Sequence, residues 1–211
     1  MSEVSKALPL FRLPTILLRK INRYMDLQEI LLISLASKKS AYIMRSLLPK
    51  NCFTLSLLFI CNHSDIFLGS KGLWDRVKVS GQNVGDRFKL QVAQPSGDVT
   101  YLWAGSYLED PVKLLLSHFA IVFNPTISIY FGDTCTQNFV MDLLLHLKQL
   151  NILMKDLTLS RFFISPENYK YVLDEYREVS ELYLFCEVAS NFEYRAGPDF
   201  RVDDFCVSDG H

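Results

Sequence analysis

Apolar residues recur over the first fifty positions at the 3.6-residue period of a helix, and further along the chain the period shifts toward the alternation of strands. Leu13, Leu17, Ile21, Tyr24 and Met25 share one helical face. Leu13-Pro14 opens that helix, with proline at the first position, where its missing N–H would lack a partner anyway. Asp26, followed three residues later by Glu29, predicts a capped second helix. Its Leu27, Ile30, Leu31, Ser34 and Leu35 make a stripe, while Leu32 and Ile33 leave the helix apolar nearly all round. Ser37 caps a third helix, in which Ile43, Met44, Leu47 and Leu48 recur until Pro49 stops it. A unit this small cannot bury every side of its middle helix. The surplus packs either on the rest of the chain or on a partner.

From Cys52 the pattern is that of strands. CFTLSLLFI is expected as a buried strand, and Trp74 to Ser80 alternates around Val77 and Val79. Phe88, Leu90 and Val92 form one arm of a hairpin and Val99, Tyr101 and Trp103 the other, across the turn residues Pro95-Ser96-Gly97-Asp98. The stretches His63 to Leu73 and Ser80 to Asp86, rich in Gly, Ser and Asn, are expected as loops.

Beyond Asp110-Pro111, which opens a helix carrying Val112, Leu115, Leu116, Phe119, Val122 and Phe123, strand and helix alternate. Ile127 to Phe131 is a strand, and Phe139, Leu143, Leu147, Leu150 and Met154 fall in helical register. Leu157 to Ser160 is a second strand, Ser165-Pro166 begins a helix, and Leu182 to Phe185 and Phe205 to Val207 are further strands. Ile127, Leu157, Leu182 and Phe205 follow one another at 30, 25 and 23 residues. That spacing suggests degenerate, leucine-rich-repeat-like strand-helix units, the alternative being an ordinary α/β layer. The chain stops at Asp209-Gly210-His211 with no capping helix, which suggests a truncated product or a terminus protected in another way.

Composition narrows the classes of function. With 49% hydrophobic and 21% charged residues and a net charge of −1, nothing marks a nucleic-acid or anionic-membrane footprint. No apolar run approaches the ~18 residues of a membrane span, and Met1 to Leu8 makes a poor signal-peptide core. Cys52, Cys61, Cys135, Cys186 and Cys206 form no C-x-x-C pair, so neither a disulfide framework nor zinc is indicated, and a reducing cytoplasmic or nuclear compartment is expected. Catalytic constellations are thin. His63 and Asp65 lie near each other without a nucleophile elbow, Gly69-Ser70-Lys71-Gly72 and Gly81 to Gly85 are not phosphate-loop or dinucleotide fingerprints, and Asp203-Asp204 with Asp209 are wrongly spaced for calcium. His118 and His146 sit within helix patterns, and Trp74 and Trp103 are better core residues than base-stacking platforms. No cofactor or metal is implied.

The ordered set Leu13-Pro14, Leu17, Ile21, Met25, Leu27, Glu29, Leu31, Ile33-Ser34 and Lys38-Lys39 resembles an F-box, the helical module that docks on the Skp-type adaptor of cullin-based ubiquitin ligases. Ser34-Leu35-Ala36-Ser37-Lys38-Lys39, with the long region after it, is similar to the nematode F-box family that carries a C-terminal F-box-associated domain. Thr15-Ile16 and Ser40 depart from the Asp-Glu and tryptophan that many F-boxes have there.

The resemblance implies an α+β or α/β protein with a three-helix F-box at 8–50 and a mixed recognition domain at 51–211, strand-rich over 51–107 and built of strand-helix units over 108–211. It further implies a non-catalytic substrate receptor of a Skp–cullin–F-box ligase. Leu13, Pro14, Leu17, Ile21, Leu31 and Ser34 would lie in or under the adaptor contact. In an apolar-x-apolar strand the middle residue faces outward, so Ser128, Tyr130, Thr158, Ser160, Tyr183 and Phe185 are candidates for target contacts. The alternative is an interaction scaffold whose N-terminal helices pack on their own C-terminal domain and recruit no ligase.

Overall fold

In the computed structural model, residues 10–60, 63–70, 73–84, 87–92, 99–103, 111–188 and 192–207 are described. They form a mixed α+β protein. After a 3-10 turn at Leu10–Arg12 come α1 (Thr15–Asn22), α2 (Leu27–Leu35) and α3 (Lys38–Leu47). Pro14 stands one place earlier than the sequence pattern suggests. With φ −55° and ψ 144° it is the N-cap of α1, and Thr15 is the first helical residue. The second helix starts as expected: the Asp26 carboxylate accepts from the Glu29 N–H at 2.7 Å, and the Glu29 carboxylate accepts from the Asp26 N–H at 3.0 Å. Ser37 caps α3 by accepting from the Ser40 N–H at 3.0 Å.

The strands β1 (Phe53–Ile60), β2 (His63–Ser70), β3 (Leu73–Val84), β4 (Arg87–Val92) and β5 (Val99–Trp103) form an antiparallel meander. Then α4 (Pro111–Phe123) leads to β6 (Thr126–Phe131), α5 (Gln137–Gln149) to β7 (Met154–Phe163), α6 (Pro166–Glu175) to β8 (Glu181–Glu187), and a connection over 188–203 to β9 (Asp204–Val207). All nine strands belong to one sheet of order β5-β4-β3-β2-β1-β6-β7-β8-β9. The strand β1 joins its halves, antiparallel to β2 and parallel to β6. From β6 to β9 neighbours are parallel and follow chain order. With right-handed crossovers, a sheet that grows in one direction sets its helices on a single face.

Burial follows that rule. In β1, β6 and β8 every second residue is buried, and these residues share one core with Leu115, Leu116 and Phe119 of α4, Val140, Leu143 and Leu144 of α5, and Val172 of α6. Phe59 stacks on Phe131 with ring centres 5.3 Å apart and meets Phe139 edge-on at the same distance. Leu27, Ile30 and Leu31 of α2 and Ala41 and Met44 of α3 belong to the same core, and α3 packs against α4. Thus α2 and α3 are seated on the core that covers the sheet, and α1 packs on α3.

Three expectations from sequence need correction. His63 to Ser70 is strand rather than loop, with the buried Ile66 and Leu68 alternating with the half-buried Asp65 and Phe67, and β3 takes in Ser80 to Val84, also expected as loop. Met154 opens β7 and does not continue α5, which ends at Gln149 where Asn151 adopts φ 51°. Asn124 plays the same part after α4 with φ 43°, since asparagine tolerates the left-handed conformation that stops a helix. No helix is long and apolar enough to cross a membrane among the described residues.

Candidate partner-binding surfaces

The first surface is the outer side of α1. Leu18 is its one buried residue; Ile16 is 72% exposed and Leu17 45%, and Tyr24 in the turn after the helix is 91% exposed. Pro14 is exposed and Leu13 and Ile21 are half-buried beside this strip. Exposed Arg12, Arg19, Lys20 and Arg23 share this surface, with Arg19 and Lys20 one helical turn from Ile16, and no acidic residue occurs between Leu10 and Met25. The surface is therefore mixed, with exposed apolar and cationic side chains interleaved and no acidic ones among them.

The other two residues of the expected adaptor contact lie elsewhere. Leu31 and Ser34 are buried within the chain, on the side of α2 that joins the common core. The Ser34 hydroxyl donates to the Leu31 carbonyl at 2.7 Å and lies 2.8 Å from Nε2 of His118 on α4. Because the hydroxyl proton is engaged by the carbonyl, Nε2 is the donor to Ser34. Burial lowers the His118 pKa to about 4, so the ring is neutral near pH 7. Ser40 is also buried, and its hydroxyl donates to the Ser37 carbonyl at 2.7 Å.

The second surface is the face of the sheet turned away from the helices. Register aligns Phe67, Ser56, Ser128, Asp156, Glu181 and Asp204 in one row from β2 across to β9. The next row runs Asp65, Leu58, Tyr130, Thr158, Tyr183 and Cys206. Tyr183 and Phe185 stack with centroids 6.2 Å apart and planes 11° from parallel. The Tyr183 hydroxyl donates to Asp204 at 2.6 Å, and that bond, with some burial, pushes the phenol up to about 12. Ser128 donates to Asp156 at 2.6 Å, and Lys155 reaches the same carboxylate at 3.2 Å.

Five of the six expected target-contact residues, Ser128, Tyr130, Thr158, Tyr183 and Phe185, are half-buried on this face. Ser160 is not at the surface. It keeps the parity of Thr158 but is buried at a bulge, where Arg161 turns to φ 62° and the register with β8 shifts. Asp156, Glu181 and Asp204, and the β1 and β2 residues of the two rows, were not anticipated. Extending each strand by one residue toward its N-terminus would have found the acids; finding β2 required noticing Asp65-Ile66-Phe67-Leu68 as an alternation.

Candidate chemistry is sparse. His146 Nε2 lies 3.1 Å from the Lys113 carbonyl and 3.2 Å from the Ser117 hydroxyl, a packing role between α5 and α4. Among the described residues no three His, Cys, Asp or Glu side chains are grouped to hold a metal ion. Cys52, Cys135, Cys186 and Cys206 are free thiols, and burial pushes that of Cys186 up to about 12. Cys61 and Asp209 lie outside the described residues, as do the side chains of His63, Trp74 and Trp103. In comparisons with known proteins, the chain matches no family model, no curated protein and no solved structure.

Proposed function

We propose that this protein is a non-catalytic substrate receptor of a Skp–cullin–F-box ubiquitin ligase, working in the cytoplasm or nucleus. The observation that carries the reading is the outward side of α1 and the turn after it, where Ile16, Leu17 and Tyr24 are left uncovered, while Leu27, Ile30 and Leu31 of α2 and Ala41 and Met44 of α3 are buried and Tyr42 of α3 is exposed. Leu13, Pro14, Leu17 and Ile21 belong to the contact with the adaptor, and Leu31 and Ser34, buried in the chain's own core, hold α2 in place. The cations on the same side of α1 suit an acidic surface on that adaptor. The strand-helix units from β6 to β9 are taken as degenerate repeats whose open face captures the target. Such a receptor acts by proximity, raising the effective concentration of the target near the ubiquitin carrier.

A second reading, a ligase-independent scaffold, draws on the buried Leu31 and on the hydrogen bond between Ser34 and His118, which fasten α2 to the chain's own interior. Co-expression with a Skp-type adaptor separates the two. A one-to-one complex on size-exclusion chromatography, abolished by Leu17→Asp in a chain whose circular dichroism is unchanged, is the result expected of a receptor. A native chain that elutes alone overturns the receptor reading and leaves the scaffold. Leu31→Asp is uninformative here because it disrupts the core in either case.

A further inference from the structure

We infer that the free edge of β9 receives an extended basic segment of a partner protein as a further strand of the sheet. The inference rests on the reading of the sheet domain as the partner-capturing half, and it adds where the segment lies and what its chemistry is.

Three observations converge on this edge. The strand order ends at β9, so the outer side of its backbone has no ladder partner among the described residues. On the helix-covered side, Phe205 and Val207 stand in register with the buried Leu182 and Leu184, yet they are 44% and 49% exposed. Phe205 meets Phe200 edge-on with ring centres 5.3 Å apart and keeps part of its surface open, and Val207 at the same parity stands open toward the edge. On the open side, Asp156, Glu181 and Asp204 form a row that reaches the edge. Lys155 attends Asp156, but among the described residues no cation lies within ion-pair distance of Glu181 or Asp204. The bond from Tyr183 holds the Asp204 carboxylate in place.

These features specify the occupant. An added strand continues both rows, so its residue beside Asp204 should be Lys or Arg and those beside Phe205 and Val207 aliphatic, an alternation of basic and apolar side chains. Main-chain hydrogen bonds supply affinity and the alternate side chains supply selectivity. A second copy of this chain fits less well, since pairing β9 with β9 sets two acidic rows side by side.

The test uses the whole chain and a fluorescent peptide of alternating arginine and valine, followed by anisotropy. A glutamate-valine peptide and an arginine-valine peptide with a central proline serve as controls. The expected result is binding of the basic peptide alone, weakened by salt and at least about tenfold by Asp204→Lys. Should Asp204→Lys fail to fold, Asp204→Asn combined with Glu181→Gln gives the same comparison with side chains of unchanged size. Equal binding of the acidic or proline peptide, indifference to these substitutions, or no binding overturns the inference. So does a dimer in sedimentation that excludes the peptide, which assigns the edge to a second copy. Adaptor binding measured on the same samples keeps the two readings apart: if it is absent while the peptide binds, only the ligase reading fails.

Discussion

Nε2 of His118 on α4 lies 2.8 Å from the hydroxyl of Ser34 on α2, and this bond ties the N-terminal helices to the helix that leads into the parallel strands. The ring is neutral because burial lowers its pKa from 6.5 to about 4. The unfolded chain therefore binds more protons than the folded one between these values. The stability associated with neutral His118 is fully present above pH 6.5 and is lost as the pH falls toward 4, by up to about 3 kcal/mol. Urea midpoints at pH 7 and pH 4.5 should differ accordingly, and His118→Gln should reduce the difference.

Leu17 and Leu31 belong to the same expected adaptor contact but have opposite surroundings. Leu31→Ala removes a buried side chain and should cost about 2–5 kcal/mol. Leu17→Ala, on the exposed strip, should stay within about 0.5 kcal/mol. Denaturant titration of the two variants checks this, and equal losses would show that α1 is covered by the chain itself.

Gly132 follows β6, where its N–H donates to the Phe59 carbonyl at 2.8 Å. A Cβ at this position would lie 3.1 Å from the same oxygen. Gly132→Ala must therefore move β6 away from β1 or distort the bond, and a loss of about 1–2 kcal/mol is expected in thermal or urea unfolding.

Arg161 holds φ 62° inside a strand, a conformation that is costly for a residue with a Cβ. Arg161→Gly should relieve that strain and raise stability by about 1 kcal/mol, less the extra entropy glycine brings to the unfolded chain. A lower midpoint in urea would count against the strain.

What was legible in the sequence were the signals that depend on near neighbours. Asp26 with Glu29, Ser37 before α3 and Ser165 before α6 are local hydrogen-bonding choices, and each begins its helix where the pattern indicates. Less legible were features set by distant parts of the chain. His63 to Ser70 looks like a loop because only Ile66, Phe67 and Leu68 are strongly apolar, and it becomes a strand because β1 and β3 lie on either side. Leu31 and Leu17 are equivalent in hydrophobicity, and only the packing of α2 into the common core separates buried from exposed. Ser160 has the parity of an outward residue, but the bulge at Arg161 was not encoded in any periodicity.

The double allegiance of β1 also orders the assembly of the molecule in time. Its antiparallel partner β2 follows almost at once, whereas its parallel partner β6 arrives after four further strands and α4; Asn51 and Asn124, which approach each other just before the two strands, are 73 residues apart. Closing so long a loop is slow relative to forming a hairpin. On a ribosome the meander can therefore form while β6 is still unmade, leaving the far side of β1 as an unpaired edge until it arrives. Chaperone attention and aggregation in this protein should concentrate in that interval.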